Sequence, residues 1–198
     1  MIETLLLATG NPHKVREVRR ILPESLVRHI VTPRDLGKTL HTVEDGNTFA
    51  ENAVKKAEDG MHTFGVPCLA DDSGLCVDAL EGAPGIFSAR FAGEKATDEE
   101  RTDRILELMQ EHPSDRSARY ICVMALAIPG QETVCFEGRC EGTIGFEKIG
   151  TEGFGYDPIF IPENMTETFA QITGEEKDLL SHRGKALRML LHALETLS

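Results

Sequence analysis

The stretch LADDSGLCVD, residues 69–78, is the feature around which the chain is organised, because an apolar run ends there in two adjacent carboxylates, Asp71 and Asp72. Like charges a few ångströms apart raise each other's pKa, so two acids at one strand end are costly without a positive charge between them. A hard divalent cation such as Mg²⁺ supplies that charge. The alternative is a simple turn at Ser73 and Gly74, in which a carboxylate accepts from the backbone. Both interpretations are open at this point.

Strands and helices alternate on either side of this stretch. The hydrophobic periodicity predicts helices over residues 14–22, 48–65, 97–112 and 181–197, and strands over residues 3–9, 27–31, 67–70, 75–80, 119–128, 132–141 and 158–162. Pro129 and Gly130 predict a hairpin turn, hence one antiparallel pair. Alternation with one hairpin predicts an α/β fold in which helices flank a mixed β-sheet.

Polar residues mark several predicted helix starts. Thr48 with Glu51, and Thr97 with Glu100, have the spacing of capping boxes. Ser181 is a candidate N-cap for the last helix. The apolar stripe of that helix consists of Leu187, Leu190, Leu191, Leu194 and Leu197.

Composition limits the classes of function. A chain of 198 residues with 40% hydrophobic residues could form one large domain or two packed lobes, and we favour a single domain over residues 1–198. The net charge of −12 argues against binding a nucleic acid polymer. The first residues resemble a strand more than a signal peptide, no apolar run suggests a membrane span, and the five cysteines contain no C-x-x-C pair. We therefore expect a cytoplasmic protein with reduced cysteines.

A candidate anion site lies between the first strand and the first helix. Backbone N–H groups and the positive end of a helix dipole face outward at such a junction, and a lysine there adds a full charge. The residues are Thr9, Gly10, Asn11, Pro12, His13 and Lys14. They do not form a Walker A loop, and a plain turn with a solvated lysine is the alternative.

A second carboxylate partner for Asp72 lies upstream. Glu44, Asp45 and Glu51 surround a predicted helix start, where acids are favoured electrostatically in any case. Because Mg²⁺ takes one or two carboxylates and keeps several waters, Glu44 with Asp72 would suffice to hold it.

Two later stretches add an aromatic group and cations. Glycines flank Phe154, and the loop that follows contains Gly155, Tyr156 and Asp157, which suits a platform for a flat ligand. One aromatic residue tucked inward is the alternative. His182 and Arg183 begin the last helix, the end at which cations are disfavoured, so they are expected to face an anion or a base, with Lys177 nearby. A solvated helix start is the alternative there.

Taken together, these motifs resemble the inosine/xanthosine triphosphate pyrophosphatase family, enzymes that cleanse nucleotide pools of non-canonical purines. The resemblance covers nearly the whole chain: TGNPHK at 9–14, FAENA at 49–53, LADDSGLCVDAL at 69–80, GAPGIFSARFAG at 82–93, GFGYDPIF at 153–160 and SHRGKAL at 181–187. Thr9 stands where many relatives have Ser, which keeps the hydroxyl. Lys148 and Ile149 stand where relatives commonly have a proline.

The resemblance implies an elongated two-lobed domain with a central substrate cleft, a homodimer, and Mg²⁺-dependent hydrolysis of ITP, dITP or XTP to the monophosphate and pyrophosphate. It implies that Glu44 and Asp72 hold the metal and that Asp72 accepts the proton of the attacking water. Asp71 would support the site or be an alternative ligand. The implied substrate contacts are residues 9–14, Ser73 and Lys177 for triphosphate and sugar, and Phe154, Gly155, Tyr156, Asp157, His182 and Arg183 for the base.

Two rival functions fit the same sequence features. A nucleotide-binding regulatory module would bind the triphosphate without releasing pyrophosphate. A phosphatase would remove the terminal phosphate and release orthophosphate. The products formed from ITP and Mg²⁺ separate all three functions.

Overall fold

A computed structural model describes residues 1–196 of the chain. The helices are α1 (Pro12–Ile21), α2 (Phe49–Phe64), α3 (Asp98–Leu108), α4 (Gly174–Leu180) and α5 (His182–Thr196). The strands are β1 (Ile2–Leu7), β2 (Val27–Val31), β3 (Cys68–Val77), β4 (Ser117–Ala127), β5 (Val134–Ile144) and β6 (Phe160–Pro162). Leu197, the last residue of the predicted apolar stripe, lies outside the described residues.

The six strands form one mixed sheet in the order β2-β1-β3-β4-β5-β6. β1 pairs in parallel with both β2 and β3, whereas β5 and β6 pair antiparallel. β4 and β5 are neighbours joined only by residues 128–133, too short a connection for a parallel crossover, so the predicted hairpin is confirmed. The predicted mixed α/β fold is therefore correct.

The chain divides into two compact units. Among the described residues, the first unit comprises residues 1–72, 122–138 and 183–196, and the second comprises residues 73–121 and 139–182. In the first unit, apolar side chains of β1, β3 and β4 pack with those of α1 and α5, among them Leu5, Leu69, Met124, Leu187 and Leu190. The second unit has its own core, which includes Leu75, Ile105, Tyr120, Phe160 and Phe169. Within residues 1–196, no helix is long and apolar enough to cross a membrane.

The predicted turn at Ser73 and Gly74 is wrong. β3 runs without interruption from Cys68 to Val77, and nine of its ten residues are buried. A Ser-Gly pair is typical of turns because glycine has little steric restriction, but burial on both faces of a sheet overrides that local preference. The acid pair therefore lies inside a strand, and its two side chains point to opposite faces.

The capping predictions are confirmed at one helix and half correct at another. Thr97 and Glu100 form a complete capping box at the start of α3. Thr48 accepts from the N–H of Glu51 at the start of α2, but the Glu51 carboxylate instead accepts from the N–H of Asn47 at 2.7 Å. The short helix α4 was not predicted; it begins with a second complete capping box, formed by Thr173 and Glu176.

Candidate active site

Local hydrogen bonds shape the junction between β1 and α1. The Thr9 hydroxyl accepts from the N–H of Asn11 at 3.1 Å, and Oδ1 of Asn11 accepts from the N–H of His13 at 2.9 Å. Asn11 is thus the N-cap, and Pro12 occupies the first turn, where its missing N–H costs nothing. Lys14 follows on the first turn of the helix, and its ammonium points away from solvent toward an acid of β3.

That acid is Asp71, the centre of a buried charge cluster in the first unit. Its Oδ2 lies 2.9 Å from Nζ of Lys14 and accepts from Nη2 of Arg183 at 2.9 Å. Nη1 of Arg183 donates to Oε2 of Glu17 at 2.6 Å. Burial alone would raise the pKa of Asp71, but the charges of Lys14 and Arg183 outweigh it and hold the pKa well below its usual range. Asp71 therefore stays ionised, with its countercharges supplied by the protein.

Arg183 is buried and faces anions that belong to the protein itself. It is only 2% exposed, so the alternative of a solvated helix start is wrong for this residue. The anions it faces are the carboxylates of Asp71 and Glu17, which lie far from it in sequence. A contact between Arg183 and a purine base stays a prediction.

Asp72 lies in a different electrostatic setting. Its Oδ1 is 3.3 Å from Nζ of Lys56, and the same nitrogen is 3.3 Å from Oε2 of Glu44. Its Oδ2 accepts from Nδ2 of Asn52 at 3.2 Å. Burial raises the pKa of Asp72, and the negative charge of Glu44 adds to the rise, although Lys56 and Asn52 oppose it. Asp72 is therefore a stronger base than an ordinary aspartate.

The residues around Lys56 fit a magnesium ion. Glu44 and Asp72 converge on one positively charged nitrogen, so the two carboxylates already face a shared position of high cation affinity. Within residues 1–196, no group of three or more His, Cys, Asp or Glu side chains is arranged to hold a metal. Because Mg²⁺ uses one or two carboxylates and retains waters, a two-carboxylate set remains sufficient.

The glycine loop of the second unit is organised by Asp157. Its Oδ2 accepts from the N–H of Phe154 at 2.8 Å and from Nζ of Lys177 at 2.5 Å. The Lys177 ammonium also lies 4.6 Å from the centre of the Phe154 ring, which favours a cation–π contact. Gly153 has φ of +76°, and a Cβ there would lie 2.1 Å from Oδ2 of Asp157. Only glycine therefore allows Asp157 to reach both donors.

Of the two aromatic residues in this loop, only one remains accessible. Tyr156 is 3% exposed, and its hydroxyl donates to the carbonyl of Ser88 at 2.8 Å. The Tyr156 ring is part of the core of the second unit, and its polar end is satisfied there. Phe154 is half-buried and keeps the predicted position between two glycines. The alternative of one aromatic tucked inward thus describes Tyr156.

His182 is also buried. Its ring stacks on that of Tyr120, with centres 4.5 Å apart and planes 6° from parallel. The solvated alternative is therefore wrong for His182 as well as for Arg183. Ser73, which follows Asp72 on β3, is half-buried in the second unit. Contacts of Ser73 and His182 with a substrate stay predictions.

Several residues around these groups were not predicted. Asn52 and Lys56 both approach Asp72 from α2. Their four-residue spacing places them on one helix face, which was an available signal. Asp98 on α3 accepts from the N–H of Gly155 at 2.6 Å, and Glu17 holds Arg183. No local pattern distinguishes these two acids from capping or surface residues.

Comparison with known proteins places this geometry in a family. The model of the Ham1 family matches residues 5–193. A dITP/XTP pyrophosphatase of Desulfotalea psychrophila is 46% identical over 94% of this chain and 83% of its own length. A protein of the same name from Shigella flexneri is 46% identical over 98% of both chains.

Solved structures agree with these sequence matches. The Staphylococcus aureus Ham1 protein superposes with a TM-score of 0.89 at 37% identity, covering 99% of this chain and 100% of its own. A nucleoside-triphosphatase, or dITP/XTP pyrophosphatase, from Mycobacterium abscessus gives a TM-score of 0.77 at 42% identity, covering 95% and 98%.

The chain belongs to the Ham1 family. It is an enzyme of the nucleoside triphosphate pyrophosphatase class, a hydrolase, and the resemblance drawn from the sequence motifs is confirmed.

Proposed function

We propose that the protein hydrolyses the non-canonical purine nucleoside triphosphates dITP, XTP and ITP to the monophosphate and pyrophosphate in the presence of Mg²⁺. The names of its relatives support the first two substrates, since both curated relatives described above are called dITP/XTP pyrophosphatases. ITP follows because it differs from dITP only at the 2′ position of the sugar.

The observation that carries the proposal is the convergence of Glu44 and Asp72 on Lys56. These two carboxylates would hold Mg²⁺, and the ammonium would then be free to contact a phosphate oxygen. The metal would neutralise phosphate charge and lower the pKa of bound water. Residues 9–14 would contact the triphosphate at the positive end of α1, with Lys14 adding a charge, and Ser73 and Lys177 would contact phosphate or sugar.

Asp72 would act as the base. A water oxygen attacks the α-phosphorus, the bond from that phosphorus to the bridging oxygen breaks, and pyrophosphate leaves. The water proton passes to the Asp72 carboxylate. Without metal, burial and Glu44 raise the pKa of Asp72. Mg²⁺ bound to the same carboxylate would lower that pKa, so the lowered pKa of the bound water would supply much of the activation.

Phe154 would stack on the purine, with Gly155, Tyr156 and Asp157 shaping the loop that presents it. His182 and Arg183 would donate to the 6-oxo group of hypoxanthine or xanthine. An adenine 6-amino group would be left badly paired against these donors, which supports selection against ATP.

One assay tests the reaction. The protein is incubated with dITP, XTP, ITP or ATP and Mg²⁺, and pyrophosphate, orthophosphate and monophosphate are measured. We expect equal amounts of pyrophosphate and monophosphate from the first three, and far less from ATP. Orthophosphate would indicate a terminal phosphatase, whereas binding without products would indicate a regulatory module.

We also propose that the enzyme is a cytoplasmic homodimer. Light scattering of the purified protein tests the dimer, with a mass near twice the 21.8 kDa of one chain expected. A monomer would contradict that part of the proposal. Fractionation of the source cells tests the location, and recovery of the protein outside the cytoplasmic fraction would contradict it.

A further inference from the structure

We infer that Asn52 is a positioning residue that fixes the Asp72 carboxylate and ties it to the segment carrying Glu44. The inference rests on the proposed function, since it concerns the two acids that would hold the metal. Asn52 is only 1% exposed and belongs to the first unit, as do Glu44 and Asp72.

The orientation of the Asn52 amide follows from its hydrogen bonds. Oδ1 of Asn52 lies 2.9 Å from the backbone nitrogen of Gly46, which can only donate. The amide oxygen must therefore face Gly46, and the NH₂ group must face the other way. There Nδ2 donates to Oδ2 of Asp72 at 3.2 Å. The two ends of one amide thus serve two different parts of the site.

This arrangement assigns separate tasks to the two oxygens of Asp72. Oδ2 is held by Asn52, and Oδ1 faces Lys56, the nitrogen shared with Glu44. A carboxylate held at one oxygen presents the other in a fixed direction. Such fixing lowers the cost of reaching the productive geometry.

Gly46 explains how the amide can reach the backbone. A Cβ on Gly46 would lie 2.7 Å from Oδ1 of Asn52 and 2.9 Å from Cβ of Glu51, both too close. The absence of a side chain therefore permits this bond. Because Glu44 lies two residues before Gly46, the bond also restrains the segment that carries the second acid.

Three variants distinguish orientation of the Asp72 carboxylate by Asn52 from a role of Asn52 in holding only the Gly46 segment. Asn52→Leu keeps the branching and the number of heavy atoms but removes both hydrogen bonds. Asn52→Asp keeps the acceptor for Gly46 but sets a carboxylate against Asp72. Lys55→Ala is the matched control: it removes the exposed contact of 2.6 Å between Lys55 and Asp45, a second tie between the same segment and α2. Thermal unfolding shows whether each variant folds.

Kinetics with dITP and Mg²⁺ and titration of the nucleotide-free protein with Mn²⁺ are the two measurements. We expect Asn52→Leu and Asn52→Asp to lower kcat by roughly 30-fold or more. KM should change less than about threefold, because the protein groups that contact the substrate are unchanged. We expect Asn52→Leu to bind Mn²⁺ about fivefold or more weakly, as for other residues that orient metal ligands. Lys55→Ala should match the wild type in both measurements.

Wild-type kcat in Asn52→Asp would overturn the inference, because tethering to Gly46 alone would then suffice. Equal Mn²⁺ affinity in the wild type and Asn52→Leu, or no Mn²⁺ binding by either, would also overturn it. If the wild type binds Mn²⁺ but does not hydrolyse dITP, the proposed function fails, and the Mn²⁺ comparison still decides the role of Asn52.

Discussion

Arg183 donates from Nη2 to Oδ2 of Asp71 over 2.9 Å, and both side chains are almost fully buried. The next residue along the strand, Asp72, instead contacts Lys56 and Asn52 and lies near the negative charge of Glu44. The pKa of Asp71 is lowered and that of Asp72 is raised. Two adjacent aspartates with opposite pKa shifts are suited to different tasks, and Asp72 is the one suited to accept a proton.

Replacing Arg183 should destabilise the protein strongly. Arg183→Ala leaves Asp71 and Glu17 buried without this countercharge, and removing one partner of a buried ion pair costs about 3–5 kcal/mol. Urea unfolding followed by circular dichroism measures the loss. Lys185→Ala, an exposed site on the same helix, should change stability by less than about 1 kcal/mol. Equal losses in the two variants would contradict the importance of the cluster.

The contribution of Asp71 should depend on pH. Its pKa is lower in the folded than in the unfolded state, so the stabilisation is complete above the unfolded value of about 4 and is lost as the pH falls toward the folded value. The difference in unfolding free energy between the wild type and Asp71→Asn should be largest at pH 7 and shrink below about pH 4. Urea unfolding across this range measures it, and a difference that grows on acidification would refute the ionised assignment.

Asp72→Asn should abolish nearly all turnover while the fold persists. The amide is nearly isosteric but cannot accept the water proton. Pyrophosphate release from ITP measures activity, and circular dichroism checks folding. More than about a tenth of wild-type activity would exclude the role of Asp72 as base, because loss of general base catalysis typically costs 10²-fold or more.

Phe154→Ala should raise KM for ITP. Base–aromatic stacking is worth about 1–3 kcal/mol, which corresponds to roughly a fivefold to hundredfold loss of affinity. Steady-state hydrolysis over a range of ITP concentrations measures it. Phe146→Ala is the control, because Phe146 is a more exposed ring that packs against Arg116 in the same unit. Unchanged kinetics in Phe154→Ala would refute the stacking role.

Gly153→Ala should disturb the glycine loop more than its backbone angle alone requires. The new Cβ would collide with the Asp157 carboxylate, which holds Phe154 and Lys177. Gly130→Ala is the control, since Gly130 has a similar φ of +78° but no atom within 4 Å of the added Cβ. We expect the control to cost about 1 kcal/mol and Gly153→Ala at least twice that, measured by urea unfolding. Equal costs would show that the collision is relieved without penalty.

Patterns of neighbouring residues correctly predicted those strands and helix starts that depend only on the nearby sequence. The strand Val27–Val31 and the start of α3 at Thr97 follow from hydrophobic periodicity and capping, and both are confirmed. The continuity of β3 was missed because the burial of Gly74 depends on neighbouring strands and helices, which the local sequence does not reveal.

The same limit applies to the candidate site. Glycines on both sides indicated that Phe154 would be accessible, and it remains half-buried. Nothing near Tyr156 indicates that its hydroxyl reaches Ser88, and nothing near Arg183 indicates Glu17 as its partner. Contacts between residues distant in sequence decide both outcomes. The four-residue spacing of Asn52 and Lys56 places both on one helix face and is visible in the sequence. It indicates a role at the site only once Asp72 is known to lie opposite that face.

The division of the chain at Asp72, Ile121, Gly138 and His182 has a practical consequence. The first unit is assembled from three separate segments and the second from two, so no single cleavage yields either of them whole. A product that ends between β3 and α4 would lack strands or helices from both cores at once. Screening for an independently folding half should therefore fail at every cut site, and mutagenesis of the intact chain is the practical way to dissect this enzyme.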